Sequence, residues 1–145
     1  MKKFLFLAFV FIPVVSVAQV EEPRWVYLTD DVGGASVSYD PQSMETIASD
    51  TKSIVIRTDY READKAVREE KGCAYVDSVV AMNCQQGISL VLAVSRYSEE
   101  GALISSVTPY PARWEDLAKD PIMLKLSRVL CGHTPVETMP RLKYQ

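Results

Sequence analysis

The chain has 145 residues, 16 basic and 19 acidic side chains, a single histidine and three cysteines. That length fits one domain with a real core. A net charge of −3 without a basic block excludes nucleic acid as a partner, because phosphate binding needs clustered Lys and Arg.

The N-terminus carries a secretory pattern. Lys2 and Lys3 form a basic n-region, Phe4 to Val15 is an apolar run interrupted by Pro13, and Ser16-Val17-Ala18 presents small residues to a signal peptidase. Residues 1–18 are therefore expected to be a signal peptide and residues 19–145 the mature domain, beginning at Gln19. The apolar run is shorter than the ~20 residues of a spanning helix, which speaks against the alternative of an uncleaved anchor. No Cys stands at the cleavage point to carry a lipid, so the expectation is a mature protein free of lipid and without stable membrane insertion. Without Lys2 and Lys3 its net charge falls to −5. Periplasm is the expected location, with the cell surface or the medium as alternatives.

The mature sequence reads as strands first and a helix last. Arg24 to Leu28 alternates as a strand, with Trp25 and Tyr27 on one face. Asp30 to Gly34 is a turn. Ser36 to Tyr39 alternates again, and Asp40-Pro41 should break it; Thr46 to Ala48 would be a separate short strand. Ser53 to Tyr60 is β-rich, with Ile54 and Ile56 facing one way and Arg57 and Asp59 the other. Arg61 to Lys71 is densely charged and reads as a solvated connection, with or without a helical turn. Ala74 to Cys84 resumes strand character, and Gln85-Gln86-Gly87 turns the chain. Ser89 to Tyr97 is apolar on both faces, as a central strand is. Ser98 to Gly101 is a hairpin turn and Ala102 to Val107 closes the meander, ended by Pro109 and Pro111. Residues 112–119 add a short turn around Trp114.

Pro121 to Leu130 is the convincing helix. Asp120 suits the N-cap, Pro121 the first helical position and Gly132 the C-cap. Ile122, Met123, Leu126, Val129 and Leu130 form one apolar stripe. Short strands joined by tight turns, followed by one amphipathic helix, define an α+β fold: an antiparallel β-sheet of about six strands with the C-terminal helix packed on one face.

All three cysteines lie in the exported part, where an oxidising compartment favours a disulfide. Cys73 and Cys84 sit at opposite ends of one expected strand, more than about 30 Å apart at about 3.3 Å per residue, far beyond disulfide reach. Cys84–Cys131 is the favoured pair, pinning helix to sheet, with Cys73–Cys131 as the alternative. Cys73 is then a free or an intermolecular thiol. The spacing matches no zinc pattern.

Catalytic motifs are not found. His133 follows a helix end without a nucleophile or an orienting group in any recognisable pattern. The acidic pairs Asp30-Asp31 and Glu99-Glu100 fall in expected turns, where carboxylates solvate a loop. There is no phosphate loop, metal cluster or nucleophile elbow, so no enzyme activity and no cofactor is expected. Trp25 and Trp114 are core or groove aromatics; as exposed side chains beside charges they would be binding hot spots. Arg57 and Tyr97, with Tyr110 and Arg61, are weaker candidates of the same kind.

The order of these landmarks resembles the surface-adhesin protein E family of Gram-negative bacteria. The resemblance runs from Trp25 through Ser38-Tyr39-Asp40-Pro41-Gln42-Ser43-Met44 and Ile54 to Tyr60. It continues through the strand Val76 to Cys84, the turn Tyr97 to Gly101, and Trp114 ahead of a helix ending in Val129-Leu130-Cys131. Asn83 stands where the family has Asp, and Cys73 is additional. The resemblance implies a sheet with a C-terminal helix, a strand-to-helix disulfide, and non-enzymatic binding of a protein partner. It further implies host matrix or serum proteins as that partner, and a homodimer. The alternative is a periplasmic accessory or inhibitor protein acting on an envelope partner.

Overall fold

The structure, a computed structural model, describes residues 25–132; the expected signal peptide and His133 lie outside that range. The elements in chain order are β1 (Val26–Asp30), β2 (Ser36–Ala48), β3 (Thr51–Asp59), α1 (Lys65–Lys71), β4 (Tyr75–Asn83), β5 (Ile88–Tyr97), β6 (Leu103–Val107), β7 (Glu115–Asp116) and α2 (Pro121–Cys131). A short 3-10 turn, Leu117–Lys119, precedes α2. Strands β1 to β6 form an antiparallel meander in sequence order, and β7 pairs with β5 beside β6. The expected α+β class, strand count and C-terminal helix are all present.

Burial follows the alternation of the strands. Ile54 and Ile56 of β3 lie opposite Val80 and Ser78 of β4, so Ile54, Ile56, Val80 and Met82 share one face. Leu126 and Leu130 of α2 and Leu117 of the 3-10 turn close over that face to make the core, with Leu28, Tyr39 and Met123 around it. Asp120 caps α2 as expected: its carboxylate accepts from the backbone N–H of Ile122 at 2.8 Å and of Met123 at 3.2 Å, and Pro121 occupies the first turn, where no N–H is needed.

The far end of α2 is fixed twice. Cys84, just after β4, is bonded to Cys131 with 5.6 Å between their Cα atoms. The Lys52 ammonium, from β3, donates to the Leu130 carbonyl at 2.9 Å, supplying a cation where the helix dipole is negative. Cys73 is the free cysteine and is half-buried, which settles the pairing left open by the sequence.

Two expectations are corrected and one is extended. Asp40-Pro41 does not end a strand; β2 runs on to Ala48. Its ladder with β3 is irregular between Asp40 and Glu45, and Ser43 bridges the gap. The Ser43 hydroxyl accepts from the Val55 N–H at 2.8 Å and donates to the Asp40 carbonyl at 2.7 Å. A side chain thus supplies the acceptor that the bulged backbone withholds. Within 61–71 the structure has a two-turn helix, α1, with a Lys65–Glu69 ion pair one turn apart and an end at Gly72 in the left-handed region. Its Val67 lies so close to Gly33 that a Cβ there would come within 2.6 Å of the Val67 methyl. Residues 115–116, inside the expected turn around Trp114, form β7 against Ile88 and Ser89, because Leu117 is drawn into the core and its N–H donates to the Gly87 carbonyl.

The disulfide closes a span of 47 residues, for which the chain-entropy relation gives about 4 kcal/mol. Replacing Cys84 and Cys131 together by Ser should therefore lower stability in urea by roughly that amount while Cys73→Ser changes little; equal stability of the double variant and the parent would contradict the staple.

Candidate binding surface

On the face of β3 opposite the core, alternation places Arg57 and Asp59. Register then sets their neighbours: Arg57 lies across from Asp77 on β4 and Ser38 on β2, and Tyr75 lies between Asp59 and Tyr97. Side chains directly opposite on antiparallel strands point the same way. A row therefore crosses the sheet on the face that α2 leaves uncovered.

The row is built around Arg57. Its guanidinium forms a two-pronged pair with Asp77, Nε to Oδ1 and Nη2 to Oδ2, both at 2.7 Å. The same group is sandwiched between two rings, 4.1 Å from the Trp25 centroid and 3.9 Å from the Tyr75 centroid. The other side of Tyr75 stacks on Tyr97, with centroids 4.9 Å apart and planes 16° from parallel. Trp25, just ahead of β1, and Arg57, Tyr75 and Tyr97, on β3, β4 and β5, form one continuous stack. Each cation–π contact contributes about 0.5–2 kcal/mol and the ring pair about 0.5–1.5 kcal/mol. Tyr27, 60% exposed, stands on the same face beside Ser38.

Charge on the row is balanced internally. Burial pulls the Arg57 pKa down, but the hydrogen bonds and charge of Asp77 outweigh it, and the guanidinium is held above its ordinary value. Arg61 repeats the arrangement at the rim: it forks onto Asp59 and lies 5.7 Å from the Tyr75 ring. Arg57 and Asp77 are only 21% and 16% exposed, so the pair is largely removed from water and rigid, as charge-assisted forks are.

Of the residues singled out in the sequence, the structure brings together Trp25, Arg57 and Tyr97, with Arg61 beside them. Trp114, 46% exposed, stands apart. It precedes β7, which pairs with Ile88 and Ser89, roughly 25 Å along β5 from Tyr97 at about 3.3 Å per residue. Tyr110 is almost fully exposed in the β6–β7 loop. Glu99 and Glu100 lie in the β5–β6 turn, whereas Asp30 ends β1 rather than lying in the turn. Sequence reasoning missed Tyr75 and Asp77; the signal was the strict alternation of Tyr75, Asp77 and Val79, unreadable as partners of Arg57 until register is known. Among the described residues no cluster of His, Cys, Asp and Glu is arranged to hold a metal ion, and no helix is long and apolar enough to cross a membrane.

A six-strand antiparallel meander with its C-terminal helix stapled to one face and a stacked aromatic–arginine row on the other defines a small α+β domain with one face that no helix among the described residues covers. A family model described as surface-adhesin protein E matches residues 25–132, and the chain belongs to that family. Membership carries a surface-associated, exported adhesin as the general function and a protein as the general partner. Neither the curated proteins nor the solved structures yield a match.

The Arg61 fork has a measurable consequence. Burial raises the Asp59 pKa, but the Arg61 side-chain and backbone hydrogen bonds and the charges of Arg61 and Arg57 outweigh it, holding the carboxyl below its ordinary 3.8. A depressed folded value stabilises the native state above the ordinary value, and the contribution fades as pH falls through the folded one. Carbon NMR titration should place the Asp59 midpoint below 3.8, and Arg61→Gln should move it upward; a midpoint at or above 3.8 in the parent protein would refute the fork in solution.

Proposed function

We propose that this protein is an exported, non-enzymatic binding module that engages a protein partner through the open sheet face centred on Trp25, Arg57, Tyr75 and Tyr97. The observation that carries this reading is the stack itself. Rigid aromatics and an arginine, preassembled beside an exposed Tyr27, are the side chains that dominate protein interfaces, and their order costs little on binding because it is already present in the free domain. In this reading residues 1–18 direct export and are removed, the mature chain starts at Gln19, and the partner is a host matrix or serum protein. A second copy of the chain can share the same envelope as a homodimer. Trp114, remote from the stack, would contribute only to a partner that reaches around the sheet edge formed by β6 and β7.

The test uses the exported protein immobilised and exposed to serum and solubilised matrix proteins. Trp25→Ala and Tyr97→Ala should each weaken retention about tenfold or more, as removal of an interface hot spot does, while Arg128→Ala on α2 leaves it unchanged and thermal melting stays cooperative. Equal retention by all variants would contradict the assignment of the face. Labelling of intact cells decides where the face works: surface labelling is expected of an adhesin, and protein found solely in the periplasm would make the partner an envelope component of the cell itself.

A further inference from the structure

At one end of the sheet the β3–β4 connection and the β5–β6 turn border an open cavity of about 380 Å³, lined among others by Tyr60, Arg68 and Cys73 from the first and Glu99 and Glu100 from the second, with Ile104 of β6 beside them. Backbone bonds pin both lips to the sheet. The Tyr60 N–H donates to the Ala74 carbonyl and the Ala74 N–H to the Tyr97 carbonyl, each at 2.8 Å, while the Ser98 N–H closes the turn onto the Ala102 carbonyl at 2.9 Å. The cavity is thus a fixed feature of the fold, and Arg61 joins its lining to the rim of the aromatic row.

The charges lining it divide into engaged and unengaged groups. Arg61 is committed to Asp59, and the Glu100 carboxylate accepts from the Ser98 hydroxyl at 2.8 Å within its own turn. Arg68 has only a 3.4 Å bond to the Arg61 carbonyl, and among the described residues neither Arg68 nor Glu99 takes part in an ion pair. A cation on α1 and a carboxylate on the facing turn therefore line one cavity without meeting. A ligand with one charge would gain from one of them and be repelled by the other; a ligand with both charges gains from both. Tyr60 and Ile104 add apolar surface to the lining.

We propose that this cavity binds a short peptide with both termini free, its carboxylate at Arg68 and its ammonium at Glu99. The volume corresponds to roughly a dozen waters at about 30 Å³ each, and an extended peptide of two or three residues reaches roughly 7–11 Å at about 3.5 Å per residue. Cys73 lies in the lining and acts as a reporter of occupancy, not as a reactant.

The experiment follows alkylation of Cys73 by iodoacetamide, a neutral reagent, in the full exported chain with Cys84–Cys131 intact. Trialanine at about four times its Kd should slow alkylation about fivefold, since the unoccupied fraction falls as 1/(1 + [L]/Kd). N-acetyl-trialanine amide, which lacks both terminal charges, should not slow it. Arg68→Gln and Glu99→Gln, both at exposed positions, should each abolish the protection, and amide chemical shifts of Gly72 and Glu100 should respond to trialanine in the parent protein alone. Equal protection by the free and the capped peptide, protection surviving in either variant, or no protection at all would overturn the proposal.

Discussion

The docking of α2 on one face of the meander is the constraint on which the rest depends. An antiparallel sheet of this size has apolar side chains on one face that must be covered, and Ile54, Ile56, Val80 and Met82 are covered by Leu126 and Leu130 of a single eleven-residue helix. Such a helix is marginal by itself. Here its start is set by the Asp120 cap and its end by Cys131 and Lys52. With one face closed by so few residues, the other is left free of structural duty, and the sheet can carry polar and aromatic side chains there without cost to the core.

That freedom explains the composition of the open face. An arginine on a strand would ordinarily be a flexible, solvated charge. Asp77 directly across the ladder neutralises Arg57, and Trp25 and Tyr75 clamp its two faces. Tyr97 then extends the stack to the fifth strand. The result is a pre-ordered, charge-balanced surface in which the conformational entropy of the long side chain has already been lost on folding, so that little remains to be lost on contact with a partner. Membership of the surface-adhesin protein E family agrees with a surface used for contact.

Much of this was legible in the sequence, and the exceptions have physical causes. Asp120-Pro121 and Gly132 marked the helix because caps are local chemistry, and strand length alone separated Cys73 from Cys84. The aromatic row was half visible. Trp25, Arg57 and Tyr97 stand out as residue types, but Tyr75 and Asp77 join them only through cross-strand register, which the sequence states weakly because hairpin turns and bulges set it. The continuity of β2 past Pro41 was hidden because it depends on the Ser43 hydroxyl replacing a backbone acceptor. Strand β7 was hidden because two residues carry no period; burial of Leu117 fixes them.

The two-faced character of the sheet is tested most directly by hydroxyl-radical footprinting of the exported protein, alone and bound to immobilised matrix and serum proteins. Methionine is intrinsically among the most oxidisable side chains, so Met82, fully buried beneath α2, should stay unmodified in both states. Trp25, Tyr27 and Tyr97 should be modified in the free protein and protected in the bound one. Modification of Met82 in the native free protein, or protection that falls on α2 while Trp25, Tyr27 and Tyr97 remain reactive, would contradict the account.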